Sequence, residues 1–286
     1  MLATLRVYRP DTIFAVSDGA RPGDQTGEDL VGACRALLAS EINWPCRVEK
    51  IFAPTNLGLR ERVESGLDEV FQRTPFSVIL EEDCAPRADF FPFVEAVRSR
   101  WEGNERIGGI SGSCFLPVKF HPRESYFFSR YPHIWGWATW ARCWHAHNRG
   151  DSAWPLTGGV RSLWPDMNSG EALYWEKIFS RVYSHQLETW DYRWLLSCWR
   201  QKWVAATPSE NLVKNIGFGK DATNTSDPAI RPGVERVERL SPPWKHPAGV
   251  ERDAKADEAV FKNHYLRMEG RLSFWPRLLR SLRKRI

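Results

Sequence analysis

The chain has 286 residues, 42% of them apolar and 26% charged, which gives room for a sizeable core and excludes a disordered protein. No apolar run reaches the roughly 18 residues of a membrane-spanning helix, and Met1 to Asp11 carries three charges and no signal-peptide stretch, so a cytoplasmic location is expected. The net charge of +5 is local: residues 267–286 hold seven Arg/Lys and one Glu, leaving 33 basic and 34 acidic side chains in a neutral body, which argues against a nucleic-acid partner.

The first half alternates strand and helix signals. Leu2 to Tyr8 reads as the end of a helix before Arg9-Pro10. Thr12 to Val16 is a short apolar run that ends at Ser17-Asp18-Gly19, a turn signal. Residues 29–39 are predicted helical, with Leu30, Ala33, Cys34, Leu37 and Leu38 on one face. A strand is expected at Arg47 to Phe52, and a helix where Leu59, Val63, Leu67, Val70 and Phe71 recur. Phe76 to Leu80 is a continuous apolar run, the mark of a strand buried on both faces. It leads straight into Glu81-Glu82-Asp83. A helix from Asp89 to Trp101 and a strand from Ile107 to Ile110 follow. This order implies an α/β fold with a mostly parallel sheet and helices on both faces.

The second half is less regular. Helices are predicted near Ala138–His147, Glu171–Ser184 and Asp191–Trp203. A loop follows from Asn211 to Asp227, and residues 228–250 hold five of the nineteen prolines, as a linker would. From Trp275 the tail reads as a basic amphipathic helix, with Leu278, Leu279, Leu282 and Ile286 on its apolar stripe. Residues 1–227 are therefore expected to form the main domain, and 228–286 a linker and tail. The tail suits a membrane surface. The six cysteines stand apart with no Cys-x-x-Cys pair, so reduced and mostly buried thiols are expected. Eleven of the fifteen tryptophans lie between Trp135 and Trp203. They point either to an aromatic core or to faces that stack on sugars.

Three segments carry candidate chemistry. Glu81-Glu82-Asp83 lies behind a strand, and in open α/β sheets ligands bind beyond the carboxyl ends of strands. Three adjacent acids repel one another until a cation arrives, and a divalent metal on a diphosphate would supply that charge. A solvated acidic turn is the plain alternative. Trp190-Asp191-Tyr192 starts a predicted helix, where an aspartate is either a functional carboxylate or simply an N-cap. Asn215-Ile216-Gly217-Phe218-Gly219 places glycines where a backbone could approach a ligand, without the spacing of a dinucleotide fingerprint.

Taken in order, Val16-Ser17-Asp18-Gly19, Asn56-Leu57-Gly58-Leu59, Ile79-Leu80-Glu81-Glu82-Asp83 with Phe90-Phe91, Tyr131-Pro132-His133-Ile134-Trp135-Gly136-Trp137, Trp190-Asp191-Tyr192 and the 215–219 segment resemble an inverting glycosyltransferase of the GT-A fold. The group resembled is the bacterial family-2-like one, with a more distant similarity to N-acetylglucosaminyltransferases that carry a Glu-Asp-Asp motif. The resemblance covers about residues 5–226. It implies a Rossmann-like, mostly parallel sheet that opens with a further strand and helix, so roughly 25–30 residues of a βα unit are missing from the sequence.

The resemblance also implies roles. Asp83 matches the metal-binding carboxylate, with manganese or magnesium as cofactor. Glu82 matches the acid near the ribose, and Asp18, beside Gly19, the acid near base and ribose. Arg62 falls where a polar side chain meets the nucleotide. Gly136 and Trp137 fall under the transferred sugar, and Asp191 matches the general base. Asn224 stands where the family commonly has a histidine near the metal. The implied substrates are a nucleotide-diphosphate sugar, UDP-linked, and a carbohydrate or lipid-linked acceptor, in polysaccharide or glycoconjugate synthesis. The alternative is an inactive protein that binds sugar nucleotides or glycans. A nucleotidyltransferase is disfavoured because no glycine-rich basic loop opens the chain.

Overall fold

A computed structural model describes residues 1–147, 149–150, 154–217 and 240–267. Asn224 and the tail beyond Arg267 lie outside the described residues. In chain order the elements are α1 (Leu2–Tyr8), β1 (Thr12–Ser17), α2 (Gln25–Glu41), β2 (Arg47–Phe52), α3 (Leu59–Phe71), β3 (Phe76–Ile79), β4 (Cys84–Pro86), α4 (Phe90–Trp101), β5 (Ile107–Ser111), β6 (Tyr126–Ser129), β7 (Trp137–Trp140), α5 (Ala141–His145), α6 (Ser169–Tyr183), α7 (Asp191–Arg200), β8 (Val204–Pro208), β9 (Val213–Asn215) and α8 (Ala254–Val260), which runs into a π-helical turn, Phe261–Tyr265.

The fold is mixed α/β, and its sheets are mostly antiparallel. β1 and β2 form a separate parallel pair, with Thr12 opposite Arg47. The larger sheet has the order β3-β7-β5-β8-β6. Only β5–β8 is parallel within it. The expected mostly parallel sheet is not what forms: β7 and β6 run antiparallel to their neighbours, and β1–β2 pair apart from the large sheet. Trp137–Trp140 inserts between β3 and β5, antiparallel to both, so those two point the same way without touching. The sequence pattern puts a helix over 138–147, where most of this strand lies. The helix that forms, α5, begins only at Ala141. Gly136 makes the entry: its φ of +63° is in the left-handed region, and a Cβ there would lie 2.6 Å from Val213. A third, two-stranded sheet pairs β4 with β9.

The apolar surface is buried unevenly. Eight of the eleven clustered tryptophans are buried (Trp137, Trp140, Trp144, Trp175, Trp190, Trp194, Trp199 and Trp203), so the core reading holds for them. Trp194 is the hub of one cluster, with Trp137, Trp144 and Trp203 at ring distances of 5.5, 5.6 and 6.2 Å. Trp175 and Trp199 centre another between α6 and α7, which Ala256, Val260, Phe261 and Tyr265 complete. Residues 254–265, assigned from sequence to the C-terminal segment, thus pack into the body. An ion cluster fastens them: Asp257 accepts from Ser129 Oγ at 2.6 Å and pairs with Arg252 at 2.7 Å, while Arg130 pairs with Glu171. α2 is the opposite case. It buries no residue, and Leu30 and Leu37 of its predicted core face are 63% and 50% exposed. β3, expected to be buried on both faces, is half-buried at all four positions. Four of the six free thiols are buried; Cys34 is exposed and Cys46 half-buried. Among the described residues no helix is long and apolar enough to cross a membrane.

Candidate functional site

Glu81-Glu82-Asp83 follows β3 at the end of the large sheet where Ile79, Trp137 and Ser111 lie in register. Burial comes first in raising the Glu81 carboxyl, to about 7, followed by the charges of Asp83, Glu82 and Asp191. Asp191, 110 positions further along, therefore stands in the electrostatic field of the triplet. Glu81 Oε1 and Asp83 Oδ1 are both buried with no hydrogen-bond partner among the described residues. Burial, then Glu82, raises the Asp83 carboxyl, while bonds from Asn215 and Cys84 oppose the shift. Glu82 is exposed beside them. Like charges so placed favour a cation.

The glycine segment covers Asp83. Ile216 N–H donates to the Asp83 carbonyl at 2.8 Å, and a Cβ on Gly217 would lie 2.2 Å from Asp83 Oδ2. Only glycine leaves that carboxylate its place. Among the described residues no group of three or more His, Cys, Asp or Glu side chains could hold a metal. A magnesium-type ion needs only one or two carboxylates when diphosphate oxygens complete its shell. The free Asp83 Oδ1 fits that arrangement.

Asp191 is the first residue of α7, and the N-cap is Trp190, which makes no side-chain cap bond. The capping role is therefore not the one Asp191 fills. Thr189 Oγ1 and the Tyr192 N–H, the latter at 2.9 Å, both donate to Oδ1. Burial raises the carboxyl's pKa against these two bonds. The element is held from below by stacking of Trp190 on Trp137, 5.8 Å apart and 24° from parallel. Trp137 is buried and its indole belongs to the core. It stacks on Trp190, the residue before Asp191.

The nucleotide-side candidates divide. Asp18 accepts from Gly19 N–H at 2.9 Å, Leu57 N–H at 2.9 Å, Gly58 N–H at 3.0 Å and Asn56 Nδ2 at 3.0 Å. Four donors fill a carboxylate's usual capacity. Asp18 thus clamps the loop after β2 to the end of β1. Gly19 is required there because a Cβ would meet the Thr55 backbone at 2.6 Å. Arg62 of α3 is different. It is 8% exposed, and its Nε and Nη2 have no partner among the described residues. A buried guanidinium without a counter-charge is costly, and an arriving phosphate would relieve it.

Sequence reasoning named the acidic triplet but gave Glu81 no role. The signal was its position as the first acid past a strand end. It had no means of finding the Trp137–Trp190 support. Compared with known proteins, the chain matches no family model, and no curated protein matches it.

Proposed function

We propose that the protein is an inverting glycosyltransferase of GT-A type that moves a sugar from a nucleotide-diphosphate sugar, UDP-linked, to a glycan or lipid-linked acceptor. The observation that carries this reading is that the charge of Asp191 reaches Glu81 of the acidic triplet across 110 residues of sequence. Buried Arg62 and the Asp83 Oδ1, both without partners among the described residues, are the groups a diphosphate and its metal would use.

Asp191 is the base. Two donors on Oδ1 fix the plane of its carboxylate and leave Oδ2 for the acceptor's proton. Its raised pKa makes it a stronger proton acceptor than an exposed aspartate. The acceptor oxygen, losing its proton to Oδ2, attacks the anomeric carbon as the bond to the diphosphate breaks. One displacement inverts that centre. A divalent ion at Asp83, when bound, would stabilise the charge on the departing diphosphate. Arg62 would neutralise part of the same charge from α3.

The test is release of nucleoside diphosphate from a panel of sugar nucleotides with manganese. Asp191→Asn should keep donor binding and lose about 10²–10⁴ in rate. Transfer at the parental rate would remove Asp191 from the mechanism. The second reading, a sugar-nucleotide-binding protein without turnover, is favoured by the engaged state of Asp18. Saturable binding of a UDP-sugar with no release of UDP in any acceptor mixture would select it.

A further inference from the structure

At the opposite end of the large sheet from the acids, a cavity of about 590 Å³ opens where β5 and β8 begin. Its lining includes four cations (Arg106, Arg142, Lys202 and Arg252) against one acid, Glu105, with Trp164 as a wall. Arg252 is neutralised by Asp257 and Asp166. Arg106 has one partner, Glu251 at 3.3 Å, whose side chain is 84% exposed and screened by water. Arg142 donates to the carbonyls of Asn104 at 3.2 Å and Ile107 at 2.7 Å. Those bonds orient the guanidinium and leave its charge uncompensated. The Lys202 ammonium lies 5.3 Å from the Trp164 ring centre, with no carboxylate partner among the described residues.

Lys202 is also held unusually. Its φ is +58°, the left-handed conformation most side chains avoid. It closes α7 in a Schellman arrangement, with Lys202 N–H on the Trp199 carbonyl at 3.1 Å and Trp203 N–H on that of Cys198 at 2.9 Å. Glycine is the usual residue at this position. A helix C-terminus attracts one cation. It does not account for four around one cavity.

We propose that this cavity binds a compact polyanion of the diphosphate class, with Lys202, Arg106 and Arg142 supplying the charge. With Arg252 neutralised, three cations face one acid in the lining, and this excess of two positive charges suits a multiply charged ligand; the volume exceeds the needs of one phosphate. Burial lowers the Lys202 ammonium pKa, and a bound anion would reverse that shift. The site is independent of the acid cluster, which lies behind β3 toward the other end of the same sheet and would need a metal to hold a diphosphate.

Calorimetric titration of pyrophosphate into the full chain, with EDTA present, tests this. The native chain should bind saturably. Lys202→Asn, which tolerates the left-handed backbone, and Arg106→Gln should each weaken binding by about tenfold or more, and Asp83→Ala should leave it unchanged. Matching melting temperatures of the ligand-free variants establish that they fold. Absence of saturable binding to the native chain, affinity unchanged in both cation variants, or loss of binding in Asp83→Ala would overturn the proposal.

Discussion

The β1–β2 pair with α2 and the tryptophan-rich half around β5, β7 and β8 are held by different forces. In the tryptophan half, indoles meet at 5–6 Å and several are wholly buried. In the other, α2 buries nothing; Arg6 of α1 pairs with its last residue, Glu41, and its chief tie to the strands is Arg35. Arg35 donates to Ser17 Oγ at 3.1 Å and to the carbonyls of Asp18 and Ala53, both at 2.9 Å, and lies 4.5 Å over the Phe52 ring. Asp18 then clamps the adjoining loop. The candidate site draws on both regions: Asp191 stands on the rigid one, and Arg62 on α3 borders the lightly packed one. A base must be fixed to a fraction of an ångström, which a packed aromatic layer provides. A part that closes on a ligand is drawn from the less stable end of a structure.

The largest effect that would sharpen this contrast is a pair of truncations. Trp194→Ala should cost about 3–5 kcal/mol in chemical denaturation, while Leu37→Ala should stay within about 0.5 kcal/mol. Equal losses would show that α2 is buried after all. Next comes the acid cluster. Glu81 ordinarily titrates near 4.5 and here near 7, so between those values the native state holds a proton that the unfolded chain has released. Stability contributed by protonated Glu81 is present below 4.5 and is lost as pH rises through about 7. Glu81→Gln should flatten that fall, by about 1–3 kcal/mol between the two ends. A pH–stability profile with the same slope in the variant would remove Glu81 as its cause. Smaller is Arg35→Ala, about 1–2 kcal/mol, since its bonds are charge-assisted and half-exposed. Hydrogen exchange should then speed up across α2 and leave α7 protected. Uniform acceleration would mean that the two regions unfold as one.

Most elements are legible in the sequence because burial on one side leaves a period. Thr12–Ser17, Arg47–Phe52, Phe90–Trp101, Ile107–Ser111 and Ser169–Tyr183 each lie within a few residues of where the pattern puts them. β7 is not legible. Trp137 and Trp140 continue at helical spacing into Trp144, so one apolar pattern covers a strand and a helix. Strand order is set by long-range pairing, which no local period encodes, and the antiparallel insertion of β7 follows from that. The face of α2 misleads for a related reason: its period gives an apolar stripe and says nothing of what covers it. In the site, the acidic triplet is legible from its place behind a strand. The stacking of Trp137 on Trp190 is not legible, because an indole that stacks on a sugar and one that stacks on another indole look alike in sequence. Arg62 shows its character only when its guanidinium is found buried without a partner.

Asp83 and its neighbours are proposed here as a place for a metal-bound diphosphate. Calorimetric titration of UDP in the presence of manganese, on the native chain and on Asp83→Ala, tests it most directly. The account expects saturable binding that needs the metal and disappears in Asp83→Ala while the variant's melting temperature is retained. Metal-dependent UDP binding of equal affinity in both proteins would contradict it.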